Sequence, residues 1–157
     1  MANIQRTKIG TFMYNIITKT SIKLTKHKVL YYVLNYTWGI ITSFVGLLIS
    51  LVMLCCGRKL KRFNNVWYFE IFDNWGGMEM GTMFLKDKTS SVHTMLHETG
   101  HSYQNAILGP FFIFLVAIPS TIRYWYRRFA KNIQTSYDTI WFEGSATTIG
   151  YSLKEDK

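Results

Sequence analysis

The longest apolar run in the chain extends from Val29 to Gly57 without a single charge. Its core, Val33 to Cys56, would reach about 36 Å as a helix at roughly 1.5 Å per residue, enough for a bilayer. Few soluble helices go beyond ~20 residues without a charge. A signal-peptide core is shorter, and no small-x-small cleavage site follows this one. The pattern therefore predicts one N-terminal transmembrane helix, retained as an anchor. Thr42, Gly46 and Ser50 recur every four residues along it and offer a close-packing stripe to another helix.

After this run the periodicity changes. Asn64 and Asn65 predict a turn, and Val66 to Phe72 is rich in β-formers and predicts a strand. Asp73 to Gly77 supplies turn chemistry. Met78 to Leu85, interrupted by Gly81, reads as a second extended run, so the two are expected to pair as a β-hairpin. Thr89, Ser90 and Ser91 are N-cap candidates for a helix from Val92 to about Leu108, which Gly109-Pro110 stops. A second apolar block, Ala106 to Ile122, contains Pro110 and Pro119. A last helix is expected to begin near Tyr137 to Ile140 and to run through Ile149. The fold class that follows is α+β and helix-dominated: a basic segment over 1–28, an anchor over 29–57 and a small domain with a β-hairpin and a long helix over 58–157.

Length and charge sharpen this. A chain of 157 residues holds one domain rather than two. The net charge is +9, and no acidic residue precedes Glu70, so the basic side chains flank the anchor. Anionic lipid headgroups explain that placement, and no nucleic-acid motif accompanies it. Near the span, Lys19, Lys23, Lys26 and Lys28 balance Arg58, Lys59, Lys61 and Arg62. That tie under the positive-inside rule leaves orientation open, with the cytoplasmic side expected for the residues after the anchor. Arg123, Tyr124, Trp125, Tyr126, Arg127 and Arg128 read as an interfacial belt. Cys55 and Cys56 are adjacent, too close for a mutual bridge; they read as apolar fillers or palmitoylation sites.

His97-Glu98-Thr99-Gly100-His101 matches HExxH, in which histidines at i and i+4 share a helical face and bind one Zn²⁺. Glu98 is placed to act as general base on a water that the metal acidifies toward ~7. Gly100 costs about 1 kcal/mol of helix propensity relative to Ala, and close approach of another backbone would explain it. A catalytic zinc takes a third protein ligand. Glu143 is the choice, because Gly144, Ser145 and Ala146 let its helix pack close; Asp138, Glu155 and Asp156 serve less well. His93, one turn before His97, is an alternative third ligand. Tyr137 or Tyr151 can supply an electrophilic hydroxyl. Were residues 106–122 to cross the bilayer, His101 and Glu143 would lie on opposite sides, so that block is expected to be re-entrant, interfacial or buried.

The HETGH helix followed by Phe142-Glu143-Gly144-Ser145-Ala146-Thr147 resembles the gluzincin group of zinc metallopeptidases. More widely, Tyr68-Phe69-Glu70, Asn74-Trp75-Gly76-Gly77, His93, the HETGH run, Gly109-Pro110, Ile118-Pro119-Ser120 and Trp141-Phe142-Glu143-Gly144 are similar to small bacterial membrane proteins with this motif. The resemblance implies one zinc per chain, held by His97, His101 and Glu143. It also implies a single-pass protein of the cell membrane whose substrate is a peptide or protein near the bilayer. The rival reading is a catalytically silent membrane protein, its metal site structural or vestigial and its surface used for partner recognition.

Overall fold

The structure, a computed structural model, describes residues 6–130, 133 and 135–155. Asp156, weighed above as a third ligand, lies outside them. Six helices surround a small mixed sheet: α1 (Lys8–Thr25), α2 (Lys28–Tyr36), α3 (Ile40–Cys55), β1 (Lys61–Phe63), β2 (Val66–Glu70), β3 (Gly77–Met80), β4 (Met83–Lys86), α4 (Val92–Leu108), α5 (Ile118–Phe129) and α6 (Trp141–Glu155). A π-helical turn, Ile113–Ala117, leads into α5, and a 3₁₀ turn, Tyr137–Thr139, precedes α6.

The single transmembrane helix expected over 29–57 does not form. Among the described residues no single helix is long and apolar enough to cross a membrane. The run breaks at Thr37-Trp38-Gly39 into α2 and α3, which meet at 89°, a pair with the length and composition of a broken span or a re-entrant loop. The cause lies outside the run, in a polar side chain of α4. Asn105 donates to Asn35 Oδ1 at 2.7 Å and to the Gly39 carbonyl at 3.3 Å, and accepts from the Thr42 hydroxyl. Trp38 Nε1 donates to the Ile107 carbonyl at 3.2 Å. These bonds satisfy the fully buried side chain of Asn105, which would cost ~1–3 kcal/mol if left unpaired.

The α3 exterior reverses the usual pattern. Its protein-facing side carries Ser43 and Gly46, both buried, while Ile41, Phe44, Val45, Leu48, Leu51 and Val52 point outward and are exposed. The small-residue stripe is shared between two neighbours: a Cβ on Gly46 would strike the Met80 carbonyl of the β3–β4 hairpin, while Thr42 donates to Asn105 of α4.

The expected pairing of Val66–Phe72 with Met78–Leu85 as a hairpin is also corrected. The sheet order is β1-β2-β4-β3. β2 pairs with β4 in parallel, with Tyr68 opposite Phe84, and the run from Met78 to Leu85 is itself a hairpin, Met80 opposite Met83. Gly81, the interruption, is its turn: φ is +74° there, and a Cβ would collide with Ser43. Glycine at the first central position is what a two-residue hairpin of this hand requires. β4 is central and buried along its whole length, which is why Met83-Phe84-Leu85 reads as continuous rather than alternating.

Helix α4 fills the middle of the molecule, with every residue from Leu96 to Ala106 buried. Tyr31 from α2, Val66 and Phe84 from the sheet, Tyr103 and Ala106 from α4, and Ile149 from α6 form the main core. Within the basic segment, α1 backs α6 through Thr18 to Ser145 at 2.9 Å and Tyr14 to Thr148 at 2.9 Å.

Candidate metal centre

Two helices supply the centre, and the absence of two side chains lets them meet. A Cβ on Gly100 would overlap the Ala146 carbonyl, and one on Gly150 would overlap the Leu96 carbonyl. With both positions bare, α4 and α6 approach backbone to backbone, and Glu143 in the first turn of α6 reaches the histidines of α4.

There the Glu143 Oε2 atom lies 3.0 Å from His97 Nε2 and 3.2 Å from His101 Nε2, and the two Nε2 atoms are 3.1 Å apart. Together these three residues can hold a metal ion. The triangle has the right size: a four-coordinate ion with bonds of ~2.0–2.1 Å needs ligand atoms about 3.3 Å apart. Two imidazoles and a carboxylate suit zinc by ligand type.

The outer nitrogens of the rings show how each is oriented. His101 Nδ1 lies 2.7 Å from Gln104 Oε1, and the Gln104 amide nitrogen donates to the Phe142 carbonyl at 2.8 Å. Since that carbonyl only accepts, the Gln104 amide has one orientation, and its oxygen takes the proton of His101 Nδ1. His97 Nδ1 lies 2.8 Å from the Thr147 hydroxyl, which donates to Asp138 Oδ1 at 3.1 Å. Its proton committed to the carboxylate, Thr147 accepts from His97. Both rings are thereby held as Nδ1–H tautomers that turn their Nε2 lone pairs toward Glu143.

Three acceptors thus converge with no donor among them, and only a cation relieves that. In the metal-free chain a proton does so. Burial alone would lower the His101 pKa, but the hydrogen bond and charge of Glu143 outweigh it and push it up to about 9. Burial likewise opposes ionisation of Glu143, yet the two histidines hold its carboxyl well below the usual range. Its Oε1 is buried with no hydrogen-bond partner among the described residues, a second sign that the carboxylate is built for a cation.

Glu98 sits on the neighbouring face of α4 against the free edge of the sheet. A Cβ on Gly77 of β3 would meet its carboxylate, so glycine there makes room for the acid. Burial raises the Glu98 pKa, against the lowering effect of His97, His101 and the Glu79 backbone N–H.

No family model, no curated protein and no solved structure matches this chain. The centre stands on its own geometry.

Of the candidates read from sequence, His97, His101 and Glu143 converge, with Glu98 beside them. His93 does not join: its Nδ1 is 3.1 Å from the Tyr151 hydroxyl on the exposed side, and its ring is 6.3 Å from that of His97. Tyr137 does approach, ring to ring with His97 at 6.0 Å, and its pKa is raised by burial and by the charge of Glu143. Gln104, Thr147 and Asp138 were not singled out as supports. The spacing of Gln104 three residues after His101, on the same helical face, was the one available signal.

Proposed function

We propose that this chain is a zinc-dependent hydrolase that cleaves peptide bonds at a membrane surface. The observation that carries the reading is the convergence of the His97 and His101 Nε2 atoms on Glu143 Oε2 within 3.2 Å, with both ring tautomers dictated from behind. A zinc ion held there would supply Lewis-acid chemistry, acidifying water toward ~7 and polarising a carbonyl. Glu98 is the proton carrier: it sits beside His97 on α4, and burial raises its pKa, which favours its taking up a proton. Gly77 and Glu79 lie on an edge strand beside that carboxylate, where an extended peptide can add its backbone to the sheet.

The membrane part rests on the outward faces of α2 and α3, where Val29, Leu30, Val33, Ile41, Phe44, Leu48 and Leu51 are exposed. That apolar area exceeds what a water-facing monomer usually shows. The bent pair would embed in one leaflet, its ends marked by Lys26 and Lys28 on one side and Arg58 and Lys59 on the other.

Replacement of Glu98 by Gln tests the enzyme reading. The variant should retain zinc and lose turnover of a peptide library by ~10²-fold or more; retained turnover contradicts the assignment of Glu98. One observation favours a second reading, a structural metal: Glu143 is wholly buried and His101 is 5% exposed. Under that reading zinc raises stability, and the wild type turns over no peptide under any condition.

A further inference from the structure

The lightest-held element near the metal site is α5. None of its residues is buried, and Ile118, Ile122, Trp125, Tyr126 and Phe129 all point outward and are exposed. At spacings of four, seven, eight and eleven these form one apolar face. The inner side is cationic and spans the site. Arg123 Nη2 donates to the carbonyls of Ser136 at 3.1 Å and Tyr137 at 3.0 Å and to the Thr139 hydroxyl at 3.1 Å. Tyr137 is pinned beneath: its ring centre is 5.4 Å from the Arg123 guanidinium and 5.6 Å from that of Arg127, and its hydroxyl is 3.5 Å from Ser120 Oγ. The Tyr137 ring also lies 6.0 Å from that of His97, steeply tilted to it. At the far end Arg128 donates to the Asn74 carbonyl at 3.3 Å, three residues before Gly77, where Glu98 packs. Thus α5 bridges the 3₁₀ turn, whose Tyr137 lies against His97, and the loop before β3, whose Gly77 lies against Glu98.

All of these acceptors are neutral, and Arg123 Nε is buried without a partner among the described residues. A phosphodiester offers a guanidinium paired charge-assisted bonds about twice as strong as neutral ones. An anionic bilayer therefore presents both things that α5 lacks, phosphates for its arginines and hydrocarbon for its outer face. The entry to α5 is suited to movement, because the π-helical turn Ile113–Ala117 and Pro119 interrupt the regular helical bonding. The apolar surface is also continuous with the α2–α3 elbow, since Trp38 and Phe111 are 6.3 Å apart.

We propose that α5 is a lid over the metal site, and that its outer face docks on a bilayer containing anionic phospholipid. There Arg123, Arg127 and Arg128 exchange protein oxygens for lipid phosphate, and the lid lifts. This rests on the metal site being the reacting centre, but it is testable without metal. Metal-free full-length protein in lipid nanodiscs, of phosphatidylcholine alone or mixed equally with phosphatidylglycerol, is treated with diethylpyrocarbonate, and modification of His97 and His101 is timed by mass spectrometry. Phosphatidylglycerol should raise the rate on the order of tenfold. The paired change Ile122→Glu with Phe129→Glu, on the exposed face, should remove the increase, and Arg123→Ala should give fast labelling in phosphatidylcholine as well. Equal rates in the two lipids overturn the proposal. So does an increase reproduced by inorganic phosphate, which assigns the arginines to a free anion, or a rate that follows protein concentration, which assigns the face to a second copy. A chain that binds no zinc yet shows the lipid effect sinks the hydrolase reading and leaves the lid intact.

Discussion

At the scale of single residues, the candidate metal centre is oriented by side chains that are not themselves ligand candidates. Gln104 and Thr147 each accept an Nδ1 proton and are themselves oriented, by the Phe142 carbonyl and by Asp138. Replacing either with an apolar isostere, Thr147→Val or Gln104→Leu, frees a histidine ring to turn. Zinc affinity measured against a competing chelator should then fall ~10–100-fold; an unchanged Kd contradicts the orienting role. Asp87 is a second residue with a defined duty. It accepts the backbone N–H groups of Trp75 at 3.2 Å and Gly76 at 2.9 Å and the Thr89 hydroxyl at 3.0 Å. Burial opposes its ionisation, but these bonds win and hold its carboxyl well below the ordinary 3.8. A depressed folded pKa gives stability that is present above the unfolded value and is lost as pH falls through the folded one. Asp87→Asn should therefore cost about 1–3 kcal/mol in denaturation at neutral pH and progressively less in strong acid. An equal cost at every pH argues against a charged Asp87. His97, Glu98 and His101 were legible in the sequence because one helix fixes their spacing. Glu143 was legible because small residues follow it. Asp138 was discounted, since only the meeting of the 3₁₀ turn with α6 brings it behind Thr147.

At the scale of elements, the contact between α4 and α6 decides whether the ligands meet. Gly100→Ala gains about 1 kcal/mol of helix propensity, yet its new methyl overlaps the Ala146 carbonyl, and overpacking costs ~1–3 kcal/mol. Thermal unfolding should show net destabilisation and zinc affinity should fall with it; a stabilised variant that still binds zinc contradicts the packing described. The sequence marked this contact, since a glycine inside a helix calls for a neighbour. It did not mark the elbow between α2 and α3. Hydropathy averages over Asn35, Gly39 and Thr42, and their partner Asn105 is 70 residues away from Asn35. The sheet was half legible for a similar reason. Local β-forming composition located the strands, while parallel pairing of β2 with β4 depends on a register that no local pattern records.

Taken whole, the molecule joins a water-avoiding exterior to a cation-seeking interior, and metal should couple to its stability. The metal-free His101 has its pKa raised from the ordinary 6.5 to about 9. A raised pKa gives stability that is fully present below the unfolded value and is lost as pH rises through the folded one. Metal-free protein should therefore weaken as pH climbs from 6.5 to about 9, whereas zinc displaces that proton and the loaded protein should not. Zinc at 100 times its Kd should add ~2.7 kcal/mol; denaturation curves that coincide with and without zinc across this range contradict the coupling. The most direct test of the metal centre is metal content by elemental mass spectrometry on the purified wild type and on His97→Ala, prepared together after zinc supplementation. One zinc per chain in the wild type and none in the variant is the expected result, and a wild type without zinc would contradict the reading of the centre.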